Sequence, residues 1–192
     1  DFHLLAFVHL NTLGVVGAMI FGASYQLVPV ALQTPLASAR AGRISFWFFA
    51  AGLAVFLIGL LATWLPGLAA GATLLGVAFA LYIGVIWATF HRTTHRDVVA
   101  WHIAAGSVNA GLGMIAGVLL AFNKSNGMLG GRLLWFLAAH LTIMLAGWVI
   151  LTFFGVAYRL IGMFTLAERH FIAPLAWTEF ASVLSGTWLL AA

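Results

Sequence analysis

Long apolar runs separated by short polar breaks occupy the whole chain. Each run is about as long as the roughly 20 residues that a helix needs to cross a bilayer. Lipid offers no hydrogen-bond partners to the backbone, so we expect each run to be helical. The pattern predicts an all-α integral membrane bundle of about six transmembrane helices in a single domain, residues 1–192, with spans near 2–32, 44–64, 67–90, 98–122, 133–164 and 171–192.

The polar breaks indicate where the helices end. Leu65-Pro66-Gly67 contains the two residue types that most strongly interrupt helices, so we expect a very tight turn there between the second and third spans. Residues 123–127 have the composition of a plain loop. Pro174 fits the first turn of the sixth span.

The composition supports the membrane assignment and excludes several classes of protein. Of the 192 residues, 64% are hydrophobic and 6% are charged, whereas soluble domains have about 25% charged residues. The net charge of +4 comes from Lys and Arg near helix ends, which indicates contact with a lipid bilayer and no nucleic-acid partner. The chain has no cysteine, so any haem would be held by histidine and not by a covalent thioether attachment.

Loop charges predict the orientation in the membrane. Lys124 and Arg132 lie on the side where the chain begins. The opposite side has more cations, namely Arg40, Arg43, Arg92, Arg96, Arg159 and Arg169. Positive residues favour the cytoplasmic side, so we expect the amino terminus to lie outside the cytoplasm, in a membrane such as the bacterial cytoplasmic membrane.

Two histidines are placed to form a pair inside the membrane. His9 lies near the outer end of the first span and His140 near the outer end of the fifth, and these spans run in the same direction. At 1.5 Å per residue, both lie roughly 10 Å below the outer boundary. Two imidazoles on neighbouring helices provide the axial ligands of a six-coordinate haem iron. The alternative is that each histidine is hydrogen-bonded to a neighbouring helix.

Small residues follow each of these histidines. Gly14 and Gly17 lie on the first span, and Gly147 and Gly155 lie on the fifth. Small residues let either a flat porphyrin or another helix approach the backbone. Gly14 and Gly147 are therefore candidates for haem contact, with helix packing as the alternative.

The first and fifth spans also resemble each other. A His-Leu pair at His9 is followed by a glycine and later by Tyr25-Gln26-Leu27. A His-Leu pair at His140 is likewise followed by a glycine and by Tyr158-Arg159-Leu160. The spacing differs by two residues, so this is an approximate internal repeat.

These two spans resemble helices of haem–copper oxidase subunit I. The first, from His9-Leu-Asn-Thr-Leu-Gly to a Tyr-Gln-Leu-Val-Pro ending at Pro29, is similar to the oxidase helix that supplies an axial ligand of the low-spin haem. Ala139-His140-Leu141-Thr142 looks like the helix with a His-x-His pair, with Thr142 in place of the second histidine. The family's copper-site motifs are absent. The resemblance therefore implies a low-spin haem without an oxygen-reducing centre.

A second group of polar residues is expected near the inner side. His102 opens the fourth span, with Asn109 and two glycines on the same helical face. His102 could ligate a second haem together with a loop histidine, or it could have a packing role. For His91, His95 and His170 the alternative is contact with water or lipid head groups.

Three further charged residues have candidate roles. Arg132 lies eight residues before His140, within reach of haem propionates, and its planar guanidinium suits a carboxylate. The alternative is that it extends to lipid phosphate. Arg159 and Glu179 fall toward the inner half of the fifth and sixth spans, where we expect them to pair. A proton-transfer role for these two residues is left open.

Taken together, these residues favour a b-type cytochrome, an electron-transfer subunit and not a complete enzyme, with one bis-histidine haem b and a second possible near His102. Its partner would be a quinol or a redox subunit, within a larger membrane complex or a homo-oligomer. The first alternative is a cofactor-free transporter or channel, with Arg159, Glu179 and Asn109 on its path. The second is a haem-based gas sensor with an open iron site.

Overall fold

The computed structural model describes residues 1–166 and 172–192, and within them the chain forms six long helices and no strand. Helix α1 spans Phe2–Ala31 and α2 spans Ala39–Leu61. The remaining helices are α3 over Leu65–Arg92, α4 over Val98–Asn126, α5 over Gly130–Phe164 and α6 over Ala173–Ala191. The predicted all-α bundle is confirmed.

Length and polarity agree with a transmembrane arrangement. Helices α1 to α5 are long and apolar enough to cross a bilayer. Helix α6 has 19 residues and is not among the helices that are long and apolar enough to cross a bilayer. Large apolar side chains cover the outside of the bundle, as lipid contact requires; the most exposed include Leu4, Phe7, Trp47, Leu134, Phe153 and Leu189.

The helix boundaries correct two sequence-based expectations. The turn between α2 and α3 lies at Ala62-Thr63, where Thr63 has φ +50°, and Pro66 lies in the first turn of α3. Proline is tolerated there because its missing N–H has no intrahelical partner at that position. Likewise α4 continues to Asn126, and the predicted loop is reduced to Gly127, whose φ of 63° ends the helix.

Glycines bring neighbouring helices into close contact. In the α2–α3 hairpin, a Cβ atom at Gly52 would lie 2.8 Å from the backbone nitrogen of Leu75. Between α4 and α5, a Cβ atom at Gly106 would lie 2.6 Å from Thr152 Oγ1. Backbones can approach this closely only where no side chain intervenes.

An aromatic cluster fills the middle of the bundle. Phe21 stacks on Phe49 at 4.5 Å and on Tyr82 at 4.6 Å between ring centroids. Phe79 meets Trp148 edge-on at 5.0 Å. These rings are fully or almost fully buried and join α1, α2, α3 and α5. They divide the interior into two ends: the N-terminal end, where α1 begins, and the arginine-rich end, where Arg40, Arg43, Arg92 and Arg96 lie.

Candidate functional site

Helices α1 and α5 diverge toward the N-terminal end. The second half of α1, Ala18–Ala31, packs on Leu151–Phe164 of α5. The first half of α1 instead packs on α2, with little contact to the first half of α5 among the described residues. His9 and His140 lie in these separated halves of α1 and α5. The proximity of the two imidazoles that the sequence suggests stays a prediction.

The His9 imidazole is held from two directions. Its Nδ1–H donates a hydrogen bond to the backbone carbonyl of Leu5, one turn earlier, at 2.8 Å. The ring of Phe56 on α2 meets the imidazole edge-on, with centroids 5.1 Å apart. The His9 side chain is half-buried.

The His140 imidazole is held by α4. Its Nδ1–H donates to the backbone carbonyl of Gly113 at 2.7 Å. One turn further along α4, a Cβ atom at Gly117 would lie 2.8 Å from Cε1 of the imidazole. Only glycine at position 117 therefore leaves room for the ring in this position.

These hydrogen bonds determine which imidazole nitrogen can bind a metal. A carbonyl oxygen can only accept, so Nδ1 carries the hydrogen in both histidines and Nε2 has the lone pair. Within the described residues, the Nδ1 bond is the one hydrogen bond of each ring. A metal-binding histidine usually donates its Nδ1–H to a carbonyl or a carboxylate in this way. The donor set thus fits a bis-histidine haem.

Each histidine is followed by a stretch of π-helix. The stretch in α1 is Leu10–Gly17, and the one in α5 is Ile143–Ile150. In α1, the side chains of His9, Asn11 and Thr12 donate to the carbonyls four residues earlier. Side-chain hydrogen bonds of this kind compete with the backbone pattern. Such π segments are frequent at functional sites.

The glycines beside the histidines pack against helices. A Cβ atom at Gly147 would lie 2.8 Å from Cγ of Asn109, and one at Gly14 would approach Leu10 and Leu53. Gly147 therefore accommodates α4, in agreement with the alternative of helix packing. Below the histidines, Phe21 and Trp148 fill the space between α1 and α5, with centroids 6.4 Å apart.

Two cations lie at the N-terminal end near this site. Arg132 is exposed at the end of a short 3-10 turn, Gly130–Arg132, that begins α5. Lys124 lies over the ring of Phe2 at 5.5 Å. Both are therefore placed near the open ends of the two histidine-bearing helices.

His102 has a different environment from His9 and His140. It is fully buried, its Nδ1 contacts the carbonyl of Val98 at 2.8 Å, and its Nε2 contacts Glu179 Oε2 at 2.8 Å. Both ring nitrogens are engaged, so this geometry offers none to an iron atom. Of the two roles considered for His102, this geometry favours packing over haem ligation.

The predicted Arg159–Glu179 pair is wrong. Arg159 donates to Asp97 at 2.8 Å, where Asp97 also caps α4 through the N–H of Ala100. Glu179 instead accepts hydrogen bonds from Tyr158 at 3.2 Å and contacts His102. The sequence placed Arg159 and Glu179 at similar depth but could not give the rotation of their helices.

His91 and His95 are not part of a histidine site among the described residues. His91 and His95 are exposed, and His91 lies 5.7 Å from the ring of Trp87. His170 lies outside the described residues. Among the residues that the structure describes, no group of three or more His, Cys, Asp or Glu side chains could hold a metal ion.

Sequence reasoning missed the residues that position the histidines. Phe56 and Gly117 had no role assigned, and Gly113 was placed with His102. One signal was available: Gly113 and Gly117 are spaced i, i+4 on α4 and therefore share a face.

Compared with known proteins, the chain matches no family model, no curated protein and no solved structure. The resemblance of α1 and α5 to helices of haem–copper oxidase subunit I therefore stays a prediction.

Proposed function

We propose that the chain is a b-type cytochrome, a membrane electron-transfer subunit in which His9 and His140 ligate one low-spin haem. The observation that carries this proposal is that both imidazoles have the same kind of hydrogen bond and the same free nitrogen. Each donates Nδ1–H to a main-chain carbonyl and keeps the Nε2 lone pair. Each lies just before a π segment of its helix.

The chain's residues have distinct tasks in this proposal. The carbonyls of Leu5 and Gly113 orient the ligand rings, and Gly117 leaves space for His140. Arg132 is exposed on the same side and would pair with a propionate. Held by these two histidines, haem iron would supply one-electron redox chemistry.

The proposal includes a topology and a partner. Because the arginine-rich end would be cytoplasmic, the haem site would lie near the opposite surface. The electron donor or acceptor would be a quinol in the bilayer or a redox subunit of a larger complex.

Absorption spectroscopy of the purified protein tests the proposal. We expect a Soret band and a low-spin spectrum that carbon monoxide does not shift after dithionite reduction. His9→Ala and His140→Ala should each abolish the low-spin spectrum, because one axial ligand is lost. His91→Ala is the matched control, since His91 is exposed, and it should leave the spectrum unchanged.

Three results would contradict the proposal. A colourless protein would favour the transporter or channel. A shift with carbon monoxide would indicate an open iron site, as in a gas sensor. A normal low-spin spectrum in either His9→Ala or His140→Ala would exclude that histidine as a ligand.

A further inference from the structure

A partly buried polar cluster lies at the arginine-rich end, on the other side of the aromatic cluster from His9 and His140. His102 of α4, Tyr158 of α5 and Glu179 of α6 contribute its side chains. The rings of Tyr158 and Phe180 meet the His102 imidazole edge-on at 5.6 and 4.8 Å. Three helices thus enclose one ionisable pair.

The hydrogen positions in this cluster follow from its geometry. The Val98 carbonyl can only accept, so Nδ1 of His102 carries a hydrogen. The neutral ring then has a lone pair on Nε2, and an ionised carboxylate has only lone pairs. A contact of 2.8 Å between Nε2 and Glu179 Oε2 therefore requires one proton between them. The proton lies either on Nε2 or on Oε2.

With this proton the pair has no net charge in either arrangement. Without this proton, the ionised carboxylate of Glu179 would face the lone pair on Nε2 of His102. The resulting net negative charge is costly inside a membrane. The pair therefore binds one proton as a unit.

The cluster also has a connection toward water. Tyr158, whose side chain is partly exposed, donates its hydroxyl to Glu179 Oε2. The neighbouring Arg159 is bound to Asp97 at the same end of the bundle. The Glu179 side chain is 23% exposed, whereas His102 is fully buried. The second carboxylate oxygen of Glu179, Oε1, is buried and has no hydrogen-bond partner among the described residues. Buried oxygens of this kind are normally satisfied by water.

We propose that the His102–Glu179 pair is a proton-binding site that exchanges its shared proton with water at the arginine-rich end through the Tyr158 hydroxyl. In each exchange one proton leaves the pair and one from water replaces it, so the charge of the pair is conserved. The proposal does not depend on haem binding. The opposing interpretation is a sealed pair that only fixes α4 to α6.

Infrared spectroscopy of the purified full-length protein in liposomes tests the proposal. The chain has only four Asp and Glu residues, so carboxyl bands can be assigned with few variants. After transfer from H2O to D2O, bands of the shared proton should shift. Backbone amides of the same helices provide an internal reference for the exchange rate, because buried helical amides exchange only on local unfolding. We expect the pair to exchange well before those amides.

Four variants define the outcome. Glu179→Gln and His102→Gln should both remove the exchange-sensitive bands, whereas Asp1→Asn, at the exposed amino terminus, should retain them. Tyr158→Phe removes only the hydroxyl and should slow the exchange several-fold.

Three results would overturn the proposal. If the shared proton exchanges with D2O only as slowly as the backbone amides, the His102–Glu179 pair is a sealed structural pair. Bands that persist in Glu179→Gln would belong to another group. An unchanged exchange rate in Tyr158→Phe would exclude the route through that hydroxyl.

Discussion

Gly117→Ala is the sharpest test of how His140 is positioned. The added Cβ atom would lie 2.8 Å from Cε1 and 3.2 Å from Nδ1 of the imidazole. Carbon atoms in contact prefer about 3.5–4.0 Å, so the ring has to move by roughly 1 Å. A movement of that size stretches the 2.7 Å hydrogen bond to Gly113 beyond the usual limit of about 3.2 Å.

The displaced ring loses the position that an axial ligand needs. Metal sites tolerate deviations of only about 0.2 Å in their ligand distances. Overpacking a tight site costs about 1–3 kcal/mol, which corresponds to roughly 5- to 150-fold weaker haem binding. We expect a lower haem affinity and a partial loss of the low-spin spectrum.

The assay is a haem titration of the purified protein in detergent, followed by visible absorption. Gly84→Ala is the matched control, because a Cβ atom at Gly84 meets nothing within 4 Å. It introduces the same methyl group into a neighbouring helix without a contact. Equal haem affinity in Gly117→Ala, Gly84→Ala and the unchanged protein would refute the assigned position of His140.

Two further predictions concern charged side chains. Arg132→Gln should lower the reduction potential of the haem, because a nearby positive charge favours the reduced form; an unchanged potential and haem content would show that other groups hold the propionates. Asp97→Asn keeps a capping side chain and loses only a partly exposed ion pair, so it should cost less than about 1 kcal/mol. Asp97→Ala also loses the cap to Ala100 and should cost about 1 kcal/mol more. Thermal unfolding in detergent measures the stability of both Asp97 variants. An equal loss of stability in the two would contradict the capping role of Asp97.

The fold was largely predictable because each helix is specified by its own apolar run. The errors lie at the ends of helices, because local hydrogen bonds determine the residue at which a helix begins or ends. Helix α2 begins at Ala39 because the Ser38 side chain accepts from the N–H of Ala41. The sequence-based span began five residues later, at the first residue of the continuous apolar run.

The candidate site was predictable only in part, for a physical reason. Depth in the membrane follows from sequence position, and it placed His9 and His140 on corresponding parts of parallel helices. Contacts between helices depend on the rotation of each helix about its axis, which hydropathy does not specify when all sides are apolar. The packing of Gly147 on Asn109 could not be predicted for that reason.

The approximate repeat between α1 and α5 extends to two structural features. In each helix a histidine precedes a π segment, and a tyrosine near the other end bonds to the following helix. Tyr25 bonds to Ser45 of α2, whereas Tyr158 bonds to Glu179 of α6. A serine hydroxyl does not ionise in this environment, but a carboxyl group can hold or release a proton. In both repeats a histidine donates Nδ1–H to a carbonyl, His9 within α1 and His140 to α4. Only in the second repeat does the tyrosine contact a group that can bind a proton.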